Sequence, residues 1–200
     1  MTSFSAWYLN TKTFDPWVYI EEAFSDEECD KILNYCKTLD LQKGKIGLGH
    51  STNEEVVDQN VRSNGIAWID DLNETTEWLY RKITDYVNNV NNQYWKYNIE
   101  YIPPLQYTNY SEINDHFNYH IDMMIKGTDT RKISFSIQLD AEDSYEGCDL
   151  YIKINDDDIH ASRKKGSINF FPSFLLHKVT PLESGERNCI VGWVCGPDFK

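Results

Sequence analysis

The sequence is short of positive charge. Its 19 Lys and Arg stand against 32 Asp and Glu, a formal net charge of −13. A chain this acidic lacks the basic footprint that phosphate backbones demand, so no nucleic-acid partner is expected. Acidity of this kind serves solubility first, and would also favour a basic substrate. No stretch approaches the ~20 apolar residues of a membrane span. The opening MTSFSAWYLN has no basic region followed by an apolar run, so neither a spanning helix nor a secretory signal is expected. The five cysteines, Cys29, Cys36, Cys148, Cys189 and Cys195, are odd in number and fit no disulfide or zinc-ribbon spacing. Cys29 and Cys36 fit one helical face, Cys189 and Cys195 one strand face, and both pairs read as small buried residues. A reducing cytoplasm is the expected compartment. Glycine and proline are sparse at 10 and 6, and no linker, repeat or low-complexity tract divides the chain.

What is present is enough apolar and aromatic content, 40% and 14%, for one domain with a sizeable core. WVYIEEAF (17–24) reads as a strand. Ser25 and Glu28 then form a capping-box pattern before a helix bearing Cys29, Ile32, Leu33, Cys36 and Leu39 at helical spacing. Residues 41–60 are polar and glycine-containing, a candidate lid with Lys43, Lys45 and His50. VRSNGIAWI (61–69) is a second strand, and a second helix runs from near Asn73 to about Asn92 with Leu79, Ile83, Tyr86, Val87 and Val90 as its apolar stripe. From about residue 94 short β-like segments dominate. The clearest is RKISFSIQLD, where Ile133, Phe135, Ile137 and Leu139 alternate with Ser134, Ser136 and Gln138, the pattern of a half-buried strand with one polar face. The expected class is α+β, mainly β: a double-stranded β-helix (jelly-roll, cupin-like) core over 94–197, with two supporting N-terminal helices in 1–93.

Three side chains carry the chemistry. His120 and Asp122 lie two apart in YHIDMM, so on a strand they share a face. His177 in FPSFLLHKVTP supplies a second imidazole. Two imidazoles and one carboxylate on one side of an ion leave the other side open, which suits a non-haem Fe(II) that must also bind a cosubstrate and O₂. His-x-Asp alone is weak, since chance supplies roughly 0.5 matches in a chain of this composition. Two neighbours strengthen it. Arg187, ten residues after His177, can bind a carboxylate through two charge-assisted hydrogen bonds, and Tyr110, ten before His120, can add a third.

Four segments, YSEINDHFNYHID, ISFSIQLDAEDSYEGCDLYI, KKGSINFFPSFLLHKVTPLESGER and RNCIVGWV, resemble in order and spacing the 2-oxoglutarate- and Fe(II)-dependent dioxygenases. The resemblance is to the prolyl 4-hydroxylase-like branch and within it the PKHD-type hydroxylases, over about residues 107–196. It implies His120, Asp122 and His177 as iron ligands, Arg187 and Tyr110 as partners of the distal carboxylate of 2-oxoglutarate, O₂ as co-reactant and ascorbate as a candidate auxiliary reductant. It implies hydroxylation of an unactivated C–H bond, first of all in a prolyl residue of a peptide or protein. A free amino acid or small metabolite is the alternative substrate. A non-catalytic metal- or 2-oxoglutarate-binding sensor and a cupin-like structural zinc protein are the alternatives outside catalysis. Two departures bear on the substrate: Phe117 stands where many relatives have tyrosine, and Cys148–Asp149 replace the usual Gly–Glu of a turn. Asp122 speaks against the halogenase variant, whose missing carboxylate makes room for halide.

The remaining candidates are weaker. His116 is four residues from His120, a zinc-pair spacing on a helix but not on a strand. His50 and His160 read as surface residues, Asp156–Asp158 as a solvated hairpin, and Arg163–Lys165 as a turn. Arg62 reads more simply as a surface charge than as an entrance residue. Trp193 is a packing residue, either under the cosubstrate or in the core alone.

Overall fold

The computed structural model describes residues 14–47, 55–123 and 130–199. In chain order its elements are β1 (Val18–Ile20), α1 (Asp26–Cys36), β2 (Gln42–Lys43), β3 (Ile46–Gly47), β4 (Glu55–Val56), β5 (Arg62–Ser63), β6 (Gly65–Ile69) and α2 (Glu77–Val90). Then follow β7 (Leu105–Tyr110), β8 (His116–His120), β9 (Thr130–Gln138), β10 (Tyr145–Gly147), β11 (Leu150–Ile154), β12 (Asp157–His160), β13 (Ile168–Pro172), β14 (His177–Val179), β15 (Leu182–Gly185) and β16 (Arg187–Gly196). A seven-stranded sheet, ordered β1-β13-β9-β16-β7-β6-β2, faces a five-stranded sheet, ordered β12-β11-β14-β8-β5. All the pairings are antiparallel. This is the expected double-stranded β-helix with two helices. The N-terminal part gives more than support, because β1, β2 and β6 extend the large sheet and β5 the small one.

The helices form where the sequence places their caps and stripes. Ser25 accepts from the Glu28 amide, and the Glu28 carboxylate accepts from the Ser25 amide at 2.8 Å, a reciprocal cap. Cys29, Ile32 and Cys36 are buried on one face of α1, and Leu79, Ile83, Val87 and Val90 on one face of α2. Lys82 of α2 donates to Glu28 at 2.6 Å, joining the two helices. The second helix begins at Glu77, later than the expected start near Asn73. Asn73 accepts from the Thr75 amide in a turn of its own before α2 starts. At the far end Asn91–Trp95 form a π-helical turn that closes with Lys96 in the left-handed region at φ 56°.

Two apolar cores result. One lies between the helices and the outer face of the large sheet, and includes Ile133, Phe135, Ile137, Phe170 and Ile190. Gly192 makes it possible, since a Cβ there would stand 2.2 Å from the Phe135 ring. The other lies between the sheets, and includes Tyr110, Tyr145, Leu150, Ile152, Phe171 and Cys189. Strand β9 divides them, and here the sequence reading needs correction. Its polar face does not meet solvent: Ser134, Ser136 and Gln138 are as buried as their apolar neighbours and point between the sheets. Alternation on this strand separates a packed core from a polar interior. All five cysteines are buried thiols in no disulfide, as expected, though a register shift between Val194 and Cys195 interrupts the alternation that would put Cys189 and Cys195 on one face. Among the described residues no helix is long and apolar enough to cross a membrane.

Candidate metal centre and its cavity

Strands β8 and β14 run antiparallel with His120 directly opposite His177. Asp122 follows the end of β8, where its amide and that of Met123 donate to the Ser173 carbonyl at 3.0 and 2.9 Å. The result brings one donor atom from each of His120, Asp122 and His177 to within 4.8 Å of one another, the spacing of a metal site. His120 Nε2 lies 3.7 Å from Asp122 Oδ1, and His177 Nε2 3.4 Å from Asp122 Oδ2. Each ring is oriented from behind. His120 Nδ1 meets the Asn118 carbonyl at 2.8 Å and His177 Nδ1 the Leu175 carbonyl at 3.0 Å. A carbonyl only accepts, so Nδ1 carries a proton in both rings and Nε2 is the atom turned toward the centre. Ser134 donates to Asp122 Oδ2 at 2.8 Å and is itself 2.9 Å from the Ser173 hydroxyl. Phe117 stacks on His120 at 3.5 Å between centroids, and Phe171 lies 4.7 Å from His177.

Electrostatics suit a cation. Burial and the neighbouring His177 push the His120 imidazolium pKa down to about 3. Burial alone would raise the Asp122 carboxyl, but His177 and His120 beside it outweigh that and hold it well below the usual carboxylate range. Burial disfavours the charged form of His177 as well, yet Asp122 wins there and raises its pKa. The carboxylate and the His120 imidazole are thus favoured in their ligating forms, while at His177 a metal competes with a proton.

The centre opens on a cavity of about 740 Å³ lined by both sheets. Arg187 lies in its wall, 3% exposed, opposite Tyr110 in the β16–β7 register. Nε and Nη2 of Arg187 donate to Gln138 Oε1 at 3.2 and 3.0 Å, and Gln138 is fixed in turn by its own donation to Ser136 at 3.0 Å. Nη1 of Arg187 is buried without a hydrogen-bond partner. A buried guanidinium with one donor left over is costly unless an anion completes it. Burial pushes the Tyr110 hydroxyl up, so it stays protonated and able to donate. The residues therefore fit both groups the sequence pointed to: a facial N,N,O donor set for a divalent iron, and an unfilled cationic end for a dicarboxylate.

Other candidates fall elsewhere. His116 bonds to the Asn114 and Asn60 carbonyls and takes no part in the donor group. His160 is half-exposed beside Asp149 at 3.0 Å. Asp156–Asp158 sit at the exposed β11–β12 turn, and Arg163 bonds to the Tyr145 carbonyl at 2.7 Å. His50 and the centre of the candidate lid lie outside the described residues, but Gln42, Lys43, Lys45 and Glu55 do line the cavity. Arg62 is the clearest correction. It is no surface charge: it is 9% exposed, in the cavity wall, with Nη2 donating to Gln106 at 2.8 Å. Trp193 is buried, lines the cavity and carries the Arg131 guanidinium 3.8 Å above its ring. Sequence reading missed Ser134, Gln138 and Gln106, whose signal was available in the alternation of each strand.

No protein-family model matches the chain. Over 85 residues it is 36% identical to a PKHD-type hydroxylase of Synechococcus sp. (strain CC9605), covering 42% of this chain and 38% of that protein. A PKHD-type hydroxylase of Crocosphaera subtropica is 33% identical over 98 residues, covering 48% of this chain and 44% of that one. The chain thus matches less than half the length of these curated relatives. A Pseudomonas putida prolyl-4-hydroxylase superposes with a TM-score of 0.72 at 17% identity, over 92% of this chain and 94% of that one. This is the fold of the 2-oxoglutarate- and Fe(II)-dependent prolyl hydroxylases. A Trichoplax adhaerens prolyl hydroxylase, solved with a hypoxia-inducible-factor peptide fragment, shares the fold at a TM-score of 0.74 and 16% identity, over 90% of this chain and 84% of that one. The shared fold therefore covers about twice as much of the chain as the sequence similarity does.

Proposed function

We propose that this chain is a dioxygenase dependent on Fe(II) and 2-oxoglutarate that hydroxylates an unactivated C–H bond, with a prolyl residue in a peptide or protein as the substrate. The observation that carries the reading is the open-faced His120–Asp122–His177 group on the same cavity as Arg187, whose Nη1 has no protein partner. His120, Asp122 and His177 would hold the iron. Arg187, with Tyr110, would hold the distal carboxylate of 2-oxoglutarate. When bound, iron, cosubstrate and O₂ supply the oxidising power, with succinate and CO₂ as coproducts. The chain's own part is positional. Ser134 and the two backbone carbonyls fix the ligands, Gln138 fixes the guanidinium, and the Phe117 and Phe171 rings keep bulk water from the imidazoles. The prolyl substrate is supported by the similarity to PKHD-type and prolyl hydroxylases.

The test is succinate release by Fe(II)-loaded protein given 2-oxoglutarate and O₂, with and without a panel of proline-containing peptides. Iron-dependent succinate that is stimulated by a peptide, and lost in His177→Ala and Arg187→Ala, is the expected result. No succinate from the iron-loaded wild type under any condition would replace the enzyme with a non-catalytic sensor.

A further inference from the structure

The cavity holds a second buried guanidinium that the proposed chemistry does not use. Arg62 Nε donates to Asn64 Oδ1 at 2.9 Å, Nη1 to the Lys45 carbonyl at 3.2 Å and Nη2 to Gln106 Oε1 at 2.8 Å. Every one of these partners is neutral. Among the described residues no carboxylate lies within ion-pair distance of it, although the chain carries 13 more acids than bases. The guanidinium is nevertheless built in. It lies 4.6 Å from the Phe117 ring, which stacks on His120, and Gly44 presses so closely that a Cβ there would stand 2.5 Å from Arg62 Nε. A cation so fixed and so buried, hydrogen-bonded to neutral partners alone, gains further when an anion reaches it.

Charge counting excludes the groups already assigned. With Fe(II) on Asp122, and the two negative charges of 2-oxoglutarate shared between iron and Arg187, the centre is neutral and Arg62 is left with an uncompensated positive charge. Lys43, Lys45 and Arg131 also line the cavity, against Glu55 as the other acid besides Asp122. In a chain with a net charge of −13 this is a local reversal of sign.

We infer that the primary substrate is anionic and presents a carboxylate to Arg62, two stacked rings from the iron centre. This rests on the oxygenase reading and narrows it: a basic or neutral substrate is disfavoured, and an amino acid, or a prolyl peptide with an acid beside the reacting residue, is favoured. The anchored geometry of Arg62 suits two-pronged recognition of a planar carboxylate.

The first measurement is binding of acetate and of its neutral isostere acetamide to anaerobic Fe(II)-loaded protein already saturated with 2-oxoglutarate, read by ligand-observed NMR. Wild type is expected to bind acetate at least 10-fold more tightly than acetamide, Arg62→Gln to lose that preference, and Arg62→Lys to keep part of it. Equal binding of acid and amide by the wild type overturns the inference, and so does a preference that survives in Arg62→Gln. The wild-type comparison stands even if a variant fails to fold. Saturation by 2-oxoglutarate is measured first, so its failure would remove the oxygenase reading separately. Succinate release then separates the sources of the anion: stimulation by free amino acids assigns a small molecule, and stimulation by acidic prolyl peptides assigns a polypeptide. Stimulation by neutral peptides alone would overturn the inference.

Discussion

Asp122 and Ser134 show how single residues set the properties of the centre. Asp122 favours the imidazolium form of His177, so metal uptake there competes with a proton. Below the raised pKa of His177, metal affinity should climb about tenfold per pH unit and flatten above it, with close to one proton released per ion. The sign follows from the metal's requirement for the neutral ring. Calorimetry of metal binding in buffers of different ionisation enthalpy would show this, and release near zero throughout would contradict it. Ser134→Ala removes the hydrogen bond that orients Asp122 and should weaken metal binding about 10–100-fold, the usual cost of losing such support. At the other end of the cavity Arg187→Gln should weaken 2-oxoglutarate binding by about 2–5 kcal/mol while leaving metal affinity unchanged, as titration calorimetry would report.

At the scale of elements, β9 makes a sharper case. Its two faces serve two purposes, so variants two or three residues apart should separate them. Ile137→Ala, facing the helices, should cost about 2–5 kcal/mol in urea unfolding and leave metal affinity intact. Ser134→Ala should do the reverse. The alternation of this strand was plain in the sequence, but whether its polar face meets solvent or a cavity depends on the opposing sheet, which local pattern does not encode. Arg62 illustrates the same limit, since its burial comes from β8 and β7, more than forty residues away along the chain in both Gln106 and Phe117. The metal-donor group was legible because His120 and Asp122 stand two apart and His177 lies in a distinct segment of its own, and α1 because Ser25 and Glu28 are local. The turn at Gly147–Cys148 was legible only as a departure. Cys148 adopts φ 54°, a left-handed conformation natural to glycine and costing roughly 1–2 kcal/mol for other residues.

For the molecule as a whole, acidity outside and cations within belong together. The surface charge serves solubility, while the interior sign reversal selects anions. Lys43 and Lys45, in the cavity wall, belong to the same positive interior. Oxygenase function requires the metal group and Arg187 to act together across one cavity. The decisive measurement is anaerobic calorimetric titration of 2-oxoglutarate into the protein with and without Fe(II), repeated with Arg187→Gln. One molecule bound per chain, tightly only when both the iron and Arg187 are present, is the predicted result. Binding that is indifferent to the metal, or to Arg187, would contradict it.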